Sequence, residues 1–203
     1  MDSGLQDYVT AIIKQERELF TEKFEIKKMV QIIDLKSPET VIVSNLKKTM
    51  LSQGLFYIKN YEDIIENQEI ENLQQSFRSF FKLDKATKNK INMKVGGPAW
   101  RGWFPLHGEL TSGVPDGKEG IYFGREEKGV EGKFMRGENI FLEDKAGSGK
   151  VMKERLLNYL DKLEILSQKI LSYIALALGL SKNYFTDIFS STGQKPVYLF
   201  RAF

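Results

Sequence analysis

The sequence predicts a mixed helix-and-strand fold, α/β or α+β, on three observations. Apolar segments alternate strand–helix–strand–helix between Val30 and Phe81. One apolar stripe at helical period runs from about Lys150 to Leu178. The last residues, "PVYLFRAF" (Pro196–Phe203), alternate at period two.

Each element has its own signal. Leu5, Tyr8, Val9, Ile12 and Ile13, continued by Phe20 and Phe24, predict a leading amphipathic helix. "VQIIDL" (Val30–Leu35) reads as a short buried strand. Ser37-Pro38-Glu39 then reads as a helix start: a hydroxyl cap, proline in the first turn, and an acid where the helix dipole favours it. Ile42, Leu46 and Met50 form the inner face of that helix, and Gly54 ends it. "LFYIK" (Leu55–Lys59) is aromatic and β-branched, a second strand. The next helix is expected from about Tyr61 to Phe81, with Ile70, Leu73, Phe77 and Phe80 facing one way. Asp84 is expected to cap a short helix through Ile91. Leu156, Tyr159, Leu163, Leu166, Ile170 and Ile174 line the long helix, which Gly179 ends. About 40 Å in length, it reads as a structural backbone. "SKNYF" (Ser181–Phe185) starts a short helix. In the final strand Val197, Leu199, Arg201 and Phe203 share one face, and Tyr198, Phe200 and Ala202 the other. Both faces are largely apolar, so the strand expects cover on both, part of it outside this sequence.

Composition narrows the class. The 203 residues suffice for a full core, 41% are hydrophobic and 28% charged, and no apolar run approaches a membrane span. The first 29 residues carry charges throughout, unlike a secretory signal. There is no cysteine. That excludes disulfides, thiolate metal sites and cysteine nucleophiles, and a cytoplasmic location is expected. The net charge of +3 is spread among interleaved Lys, Arg, Asp and Glu, not gathered into a basic patch, so no nucleic-acid partner is expected.

Two loops call for comment. Residues 93–124 hold 8 of the 17 glycines and 3 of the 5 prolines, with both tryptophans and the single histidine, His107. A non-periodic stretch of this length is functional or disordered. Its aromatics, Trp100, Trp103, Phe104, Tyr122 and Phe123, argue for order. It reads as a covering loop with one short strand near Ile121–Phe123. "AGSGK" (Ala146–Lys150) superficially suggests a phosphate loop. That motif needs glycine where Asp144 stands and Ser or Thr where Val151 stands, so the segment reads as a flexible loop entering a helix.

Taken together, several segments resemble the N-terminal half of the isopenicillin-N-synthase-like, iron(II)- and 2-oxoglutarate-dependent dioxygenases. They are "VQIIDL" with its helix, "LSQGLFYIKNY", "FRSFFKLDKATKNKI", "RGWFPLHGELTSGVPDGKEGIYFG", "LSYIALALGLSKNYF" and "VYLFRAF". The order and spacing hold over about Met29–Phe203, and "RGWFPL…KEGIYFG" is the most specific piece. The resemblance implies an α+β fold in which N-terminal helices and strands lead into a truncated double-stranded β-helix (jelly-roll) core with a long supporting helix. It divides the chain into a helical extension (1–28), a non-haem dioxygenase N-terminal region (29–145), and the supporting helix with the first jelly-roll strand (146–203).

The same resemblance implies iron(II) and 2-oxoglutarate as cofactors of the complete enzyme, with a small-molecule substrate. It places the 93–124 segment across the mouth of the barrel. The candidate substrate-binding residues are Arg101, Phe104, Tyr122, Phe123, Tyr198 and Arg201. Arg101 would offer a rigid fork of donors to an anionic group, and the aromatics would exclude water. The alternative reading is that the aromatics pin the loop to the core and Arg101 pairs with a nearby acid.

The family's chemistry requires two histidines and one carboxylate on iron. This chain has one histidine, and no His-x-Asp occurs anywhere. The Arg-x-Ser that would hold 2-oxoglutarate is also absent. No catalytic or metal-binding residue is therefore assigned, and the chain is expected to bind neither cofactor and to be inert alone. It would be a truncated product, half of a split enzyme, or a catalytically inactive interaction module. An exposed barrel edge at the last strand would favour self-association.

Overall fold

The computed structural model describes residues 30–203 apart from 131, 192 and 194, so the expected leading helix lies outside the described residues. The chain divides into two compact units. The first holds the described residues up to Asn60 with Tyr173–Lys182, and the second holds Tyr61–Ser172 with Asn183–Phe203.

The first unit is built on a strand–helix–strand crossover. Strand β1 (Ile32–Asp34) pairs in parallel with β2 (Tyr57–Lys59), and helix α1 (Glu39–Ser52) connects them. Ile42, Leu46 and Thr49 form the buried face of α1; Met50, expected inside, is only half-buried. Gly54 follows with φ +71°, the left-handed conformation that glycine adopts at least cost. The helix start differs from expectation. Pro38, not Ser37, occupies the N-cap position, and no side chain caps the helix. The turn after β1 takes precedence, because the Asp34 carbonyl accepts from the Ser37 N–H and the Asp34 carboxylate from the Lys36 N–H. Lys59 pairs with Asp34 at 3.1 Å and the Asn60 amide donates to it. These donors, Asn60 foremost, lower the Asp34 pKa to about 2.

The second unit packs helices on one face of an antiparallel sheet. Helix α2 (Asn67–Phe81) starts later than its apolar pattern suggests. Residues 61–65 form a turn closed on the Tyr61 carbonyl, and the Glu69 carboxylate accepts the Glu66 N–H at 3.1 Å. Asp84 caps α3 (Lys85–Asn89) by accepting from Thr87 N–H, as expected. After the short α4 (Met93–Gly96) come β3 (Gly102–Phe104), a small hairpin of β4 (Leu110–Thr111) and β5 (Val114–Pro115), and β6 (Gly120–Gly124). The 93–124 region is therefore strand-bearing, and richer than a covering loop with one strand. Two- and three-residue strands show no period, and their pairing is non-local.

Helix α5 (Ser148–Ala177) is the longest element, followed by α6 (Tyr184–Ser191) and β7 (Leu199–Ala202). The sheet order is β3-β6-β7, with every residue of β6 buried. Leu73, Phe77 and Phe80 of α2 and Met152, Leu156 and Leu160 of α5 form one core with Trp103, Ile121 and Phe123 of the sheet. On α5 the buried line Met152–Leu156–Leu160 shares Leu156 with the predicted stripe and adds Met152 and Leu160 to it. Leu156 and Leu166 are buried, whereas Tyr159, Leu163, Ile170 and Ile174 are half-buried.

The phosphate-like segment is a helix entrance. Asp144 accepts from the Ser148 and Gly149 N–H groups and from the Ser148 hydroxyl. These hydrogen bonds lower its pKa to about 2. A Cβ on Gly149 would lie 1.9 Å from the Leu142 carbonyl oxygen, so glycine is needed for close approach of backbone.

Candidate functional site

The sheet alternation sorts the six candidate residues. Tyr122 lies opposite Gly102 of β3 on one side and Arg201 of β7 on the other, and Phe104 lies opposite Gly120. Neighbours in register point to the same face, so Phe104, Tyr122 and Arg201 share one side of the sheet. Phe123 and Tyr198 belong to the other side. Phe123 is fully buried against Phe77 and Phe141, with ring centroids 6.1 and 5.2 Å away. Tyr198 lies under Arg125, 4.9 Å from ring centroid to guanidinium carbon, and Arg125 pairs with Glu164 at 2.7 Å. Tyr198, Arg125 and Glu164 border an apolar groove of about 260 Å³ between α5 and β7, lined also by Leu160, Leu163, Phe189 and Phe200. The six residues therefore do not converge on one pocket.

Arg101 is 1% exposed. Its guanidinium donates to the backbone carbonyls of Ala99, at 2.6 Å, and Met135, at 3.2 Å. Burial depresses its pKa, and Glu126 and Glu127 oppose the shift. The guanidinium rests against Gly124, where a Cβ would lie 2.3 Å from Nη2. In this geometry Arg101 ties the 99–101 and 135 segments together, and its fork is directed at main-chain oxygens, not at a neighbouring acid.

The side of the sheet that bears Phe104, Tyr122 and Arg201 carries a polar cluster of Tyr122, Arg201 and Glu109, of which sequence reasoning missed Glu109. The Tyr122 hydroxyl donates to Glu109 Oε1 at 2.5 Å. Arg201 Nη1 donates to the Tyr122 oxygen at 3.0 Å and to Glu109 Oε2 at 3.3 Å. Burial, then the Glu109 carboxylate, raises the Tyr122 pKa, so the phenol remains a donor at neutral pH. The Arg201 pKa is also raised, chiefly by its bond to Tyr122. Aromatics surround the cluster: Phe104 lies 5.5 Å and Trp100 6.1 Å from Tyr122, and Phe134 5.8 Å from Trp100. Glu109 had no sequence signal, because only the hairpin after it turns its side chain toward β6.

Below the cluster, Lys88 is buried and donates to both Glu119 oxygens and to the Phe81 carbonyl. Glu119 also accepts from the Trp103 indole at 2.8 Å. Asn139 closes the end of β6 by bonding both the N–H and the carbonyl of Gly124, standing in for a strand partner.

His107 is exposed in the loop before the hairpin, at φ +63°. Among the described residues no group of three or more His, Cys, Asp or Glu is placed to hold a metal. The described residues by themselves do not fit an iron site. No helix among the described residues is long and apolar enough to cross a membrane.

The architecture is a mixed one, with helices backing a small antiparallel sheet, and comparison with known proteins supplies the class. The family model described as the non-haem dioxygenase in morphine synthesis N-terminal region matches residues 30–144. A Dictyostelium discoideum protein described as a probable iron/ascorbate oxidoreductase is 34% identical, over 85% of this chain and 51% of its own length. The 1-aminocyclopropane-1-carboxylate oxidase of Dictyostelium mucoroides is 30% identical, over 83% of this chain and 46% of its own length. Among solved structures, a full-length Neurospora crassa protein in complex with alpha-KG and 5-formyluracil matches 77% of this chain and 47% of its own, with TM-score 0.59 and 25% identity. The JOX2 structure with 2OG, Fe and JA has the same fold at 18% identity, with TM-score 0.58, over 85% of this chain and 46% of its own.

The chain belongs to the non-haem iron(II)/2-oxoglutarate dioxygenase family and matches its N-terminal region. It spans about half the length of the curated relatives it matches.

Proposed function

We propose that the chain is the N-terminal portion of an iron(II)/2-oxoglutarate-dependent oxidoreductase that acts on a small molecule. In this reading it supplies one wall of the substrate pocket and the long supporting helix, and residues outside this sequence supply the metal triad. The β3-β6-β7 sheet would be the beginning of the jelly-roll. Iron and 2-oxoglutarate would bring oxygen activation to the complete site. This chain's own groups would bind, orient and dehydrate the substrate. The observation that carries the reading is the shared sheet face of Phe104, Tyr122 and Arg201, walled by Trp100 and open at Arg201, whose side chain is 36% exposed. Arg101 and Phe123 would hold that wall in place from behind.

Extending the coding sequence past Phe203 tests this. An in-frame His-x-Asp followed by a second histidine is the expected result. A stop codon directly after Phe203 in independent transcripts would favour the catalytically inactive interaction module. Anaerobic calorimetric titration of the chain with iron(II), with and without 2-oxoglutarate, is a second check. Binding no tighter than about millimolar, roughly 4 kcal/mol, is expected. Micromolar binding would overturn the proposal and turn attention to His107.

A further inference from the structure

We propose that Glu109, Tyr122 and Arg201 form a recognition site for the zwitterionic head of an α-amino-acid-type ligand, with its ammonium on Glu109 and its carboxylate on Arg201. This deepens, and rests on, the reading of that sheet face as a pocket wall.

The geometry favours both charges on one ligand. Arg201 and Glu109 meet at 3.3 Å, with the Lys118–Asp116 pair nearby, so positive and negative charges at the site balance. A bare anion would approach Arg201 against the Glu109 carboxylate. A bare cation would approach Glu109 against the guanidinium. A like-charge contact at that range opposes the matching attraction with a repulsion of similar size. A zwitterion whose charged groups are adjacent meets each with its opposite and leaves no charge uncompensated.

Arg201 is presented for such a contact. Its guanidinium lies 5.0 Å from the Phe203 ring centroid and 5.6 Å from that of Tyr122. Phe203 packs beside the guanidinium and Tyr122 takes one bond from Nη1, which leaves the other donors as the route of approach. Among the described residues only Nη1 makes hydrogen bonds, to Glu109 and Tyr122. An ionised carboxylate offers about four acceptor positions, and Glu109 uses two of them on Tyr122 and Arg201. Tyr122 anchors Glu109 from below, so the carboxylate is oriented before a ligand arrives. Glu109 and Arg201 retain 21% and 36% side-chain exposure, whereas Arg101 is sealed at 1%. Trp100, 42% exposed and stacked on Tyr122, offers an apolar surface for the ligand's side chain.

The two tryptophans make the test direct. Trp100 lies at the cluster, whereas Trp103 is 1% exposed and bonded to Glu119, so its indole resonance serves as an internal reference for the fold. The chain is titrated in NMR with L-norleucine, with N-acetyl-L-norleucine (anion only), with L-norleucinamide (cation only) and with uracil (a neutral imide). The expected result is a saturable shift of the Trp100 indole by L-norleucine, with affinity at least tenfold above each of the other three. Glu109→Gln should weaken L-norleucine about tenfold and leave the N-acetyl probe equal or tighter. Arg201→Gln should weaken L-norleucine similarly and spare the amide. General structural damage would move Trp103 and would not invert between probes. If the anion or uracil binds as tightly as L-norleucine, the ligand class is wrong while the pocket wall stands. If no probe shifts Trp100, the wall reading falls with it.

Discussion

At the scale of single residues, two positions carry sharp expectations. Gly124 is the seat of the Arg101 guanidinium, and a Cβ there would also lie 2.8 Å from the Tyr198 carbonyl oxygen. Neither neighbour can retreat, because Arg101 is enclosed and the carbonyl is main chain. Gly124→Ala should cost about 1–3 kcal/mol, read as a lower denaturant midpoint at unchanged slope. Glu119 is the counter-charge of buried Lys88. Glu119→Gln leaves a buried ammonium without its acid and also weakens the Trp103 bond. A loss of about 3 kcal/mol is expected in the same unfolding experiment, and an unchanged midpoint would show that Lys88 finds another partner.

At the scale of elements, the start of α5 is set by Asp144 and the end of β1 by Asp34. Both carboxylates have folded pKa values of about 2, against an ordinary 3.8. A depressed pKa means that the folded state binds fewer protons than the unfolded one. The stabilisation is therefore complete above about pH 4 and drains away as the pH falls toward 2. Asp144→Ser keeps a cap at the helix start but removes the titrating group. Thermal unfolding of this variant should depend less on pH between 4 and 2 than the parent does, with the remaining slope traceable to groups such as Asp34. The same element shows the limits of pattern reading. The helical period located α5 to within two residues at its start and one at its end, because thirty residues of one period leave little ambiguity. It named Leu156 but left out Met152 and Leu160, because a stripe gives a side of the helix and not the residue that each partner touches.

At the scale of the whole molecule, β7 is an edge of its sheet, with Leu199 and Phe203 39% and 70% exposed. Such an edge offers unpaired main-chain groups to another strand. We expect concentration-dependent association of the chain in sedimentation velocity, reduced by Leu199→Lys. A monomer at every concentration would count against the edge as an interaction surface. The sequence by itself determined the mixed class, the order of the larger elements, the rejection of a phosphate loop, and the family through its spaced segments. These are properties of local period, caps and residue identity, and all are written in neighbouring residues. Only the tertiary structure decided which candidate residues on different strands share a face. Pairing of β6 with β7 sets Arg201 beside Tyr122, the hairpin after Glu109 brings that carboxylate to both, and alternation sends Phe123 and Tyr198 to the opposite side. Register between strands separated by almost eighty residues leaves no trace in either strand alone, and one step of slip would have exchanged the two faces.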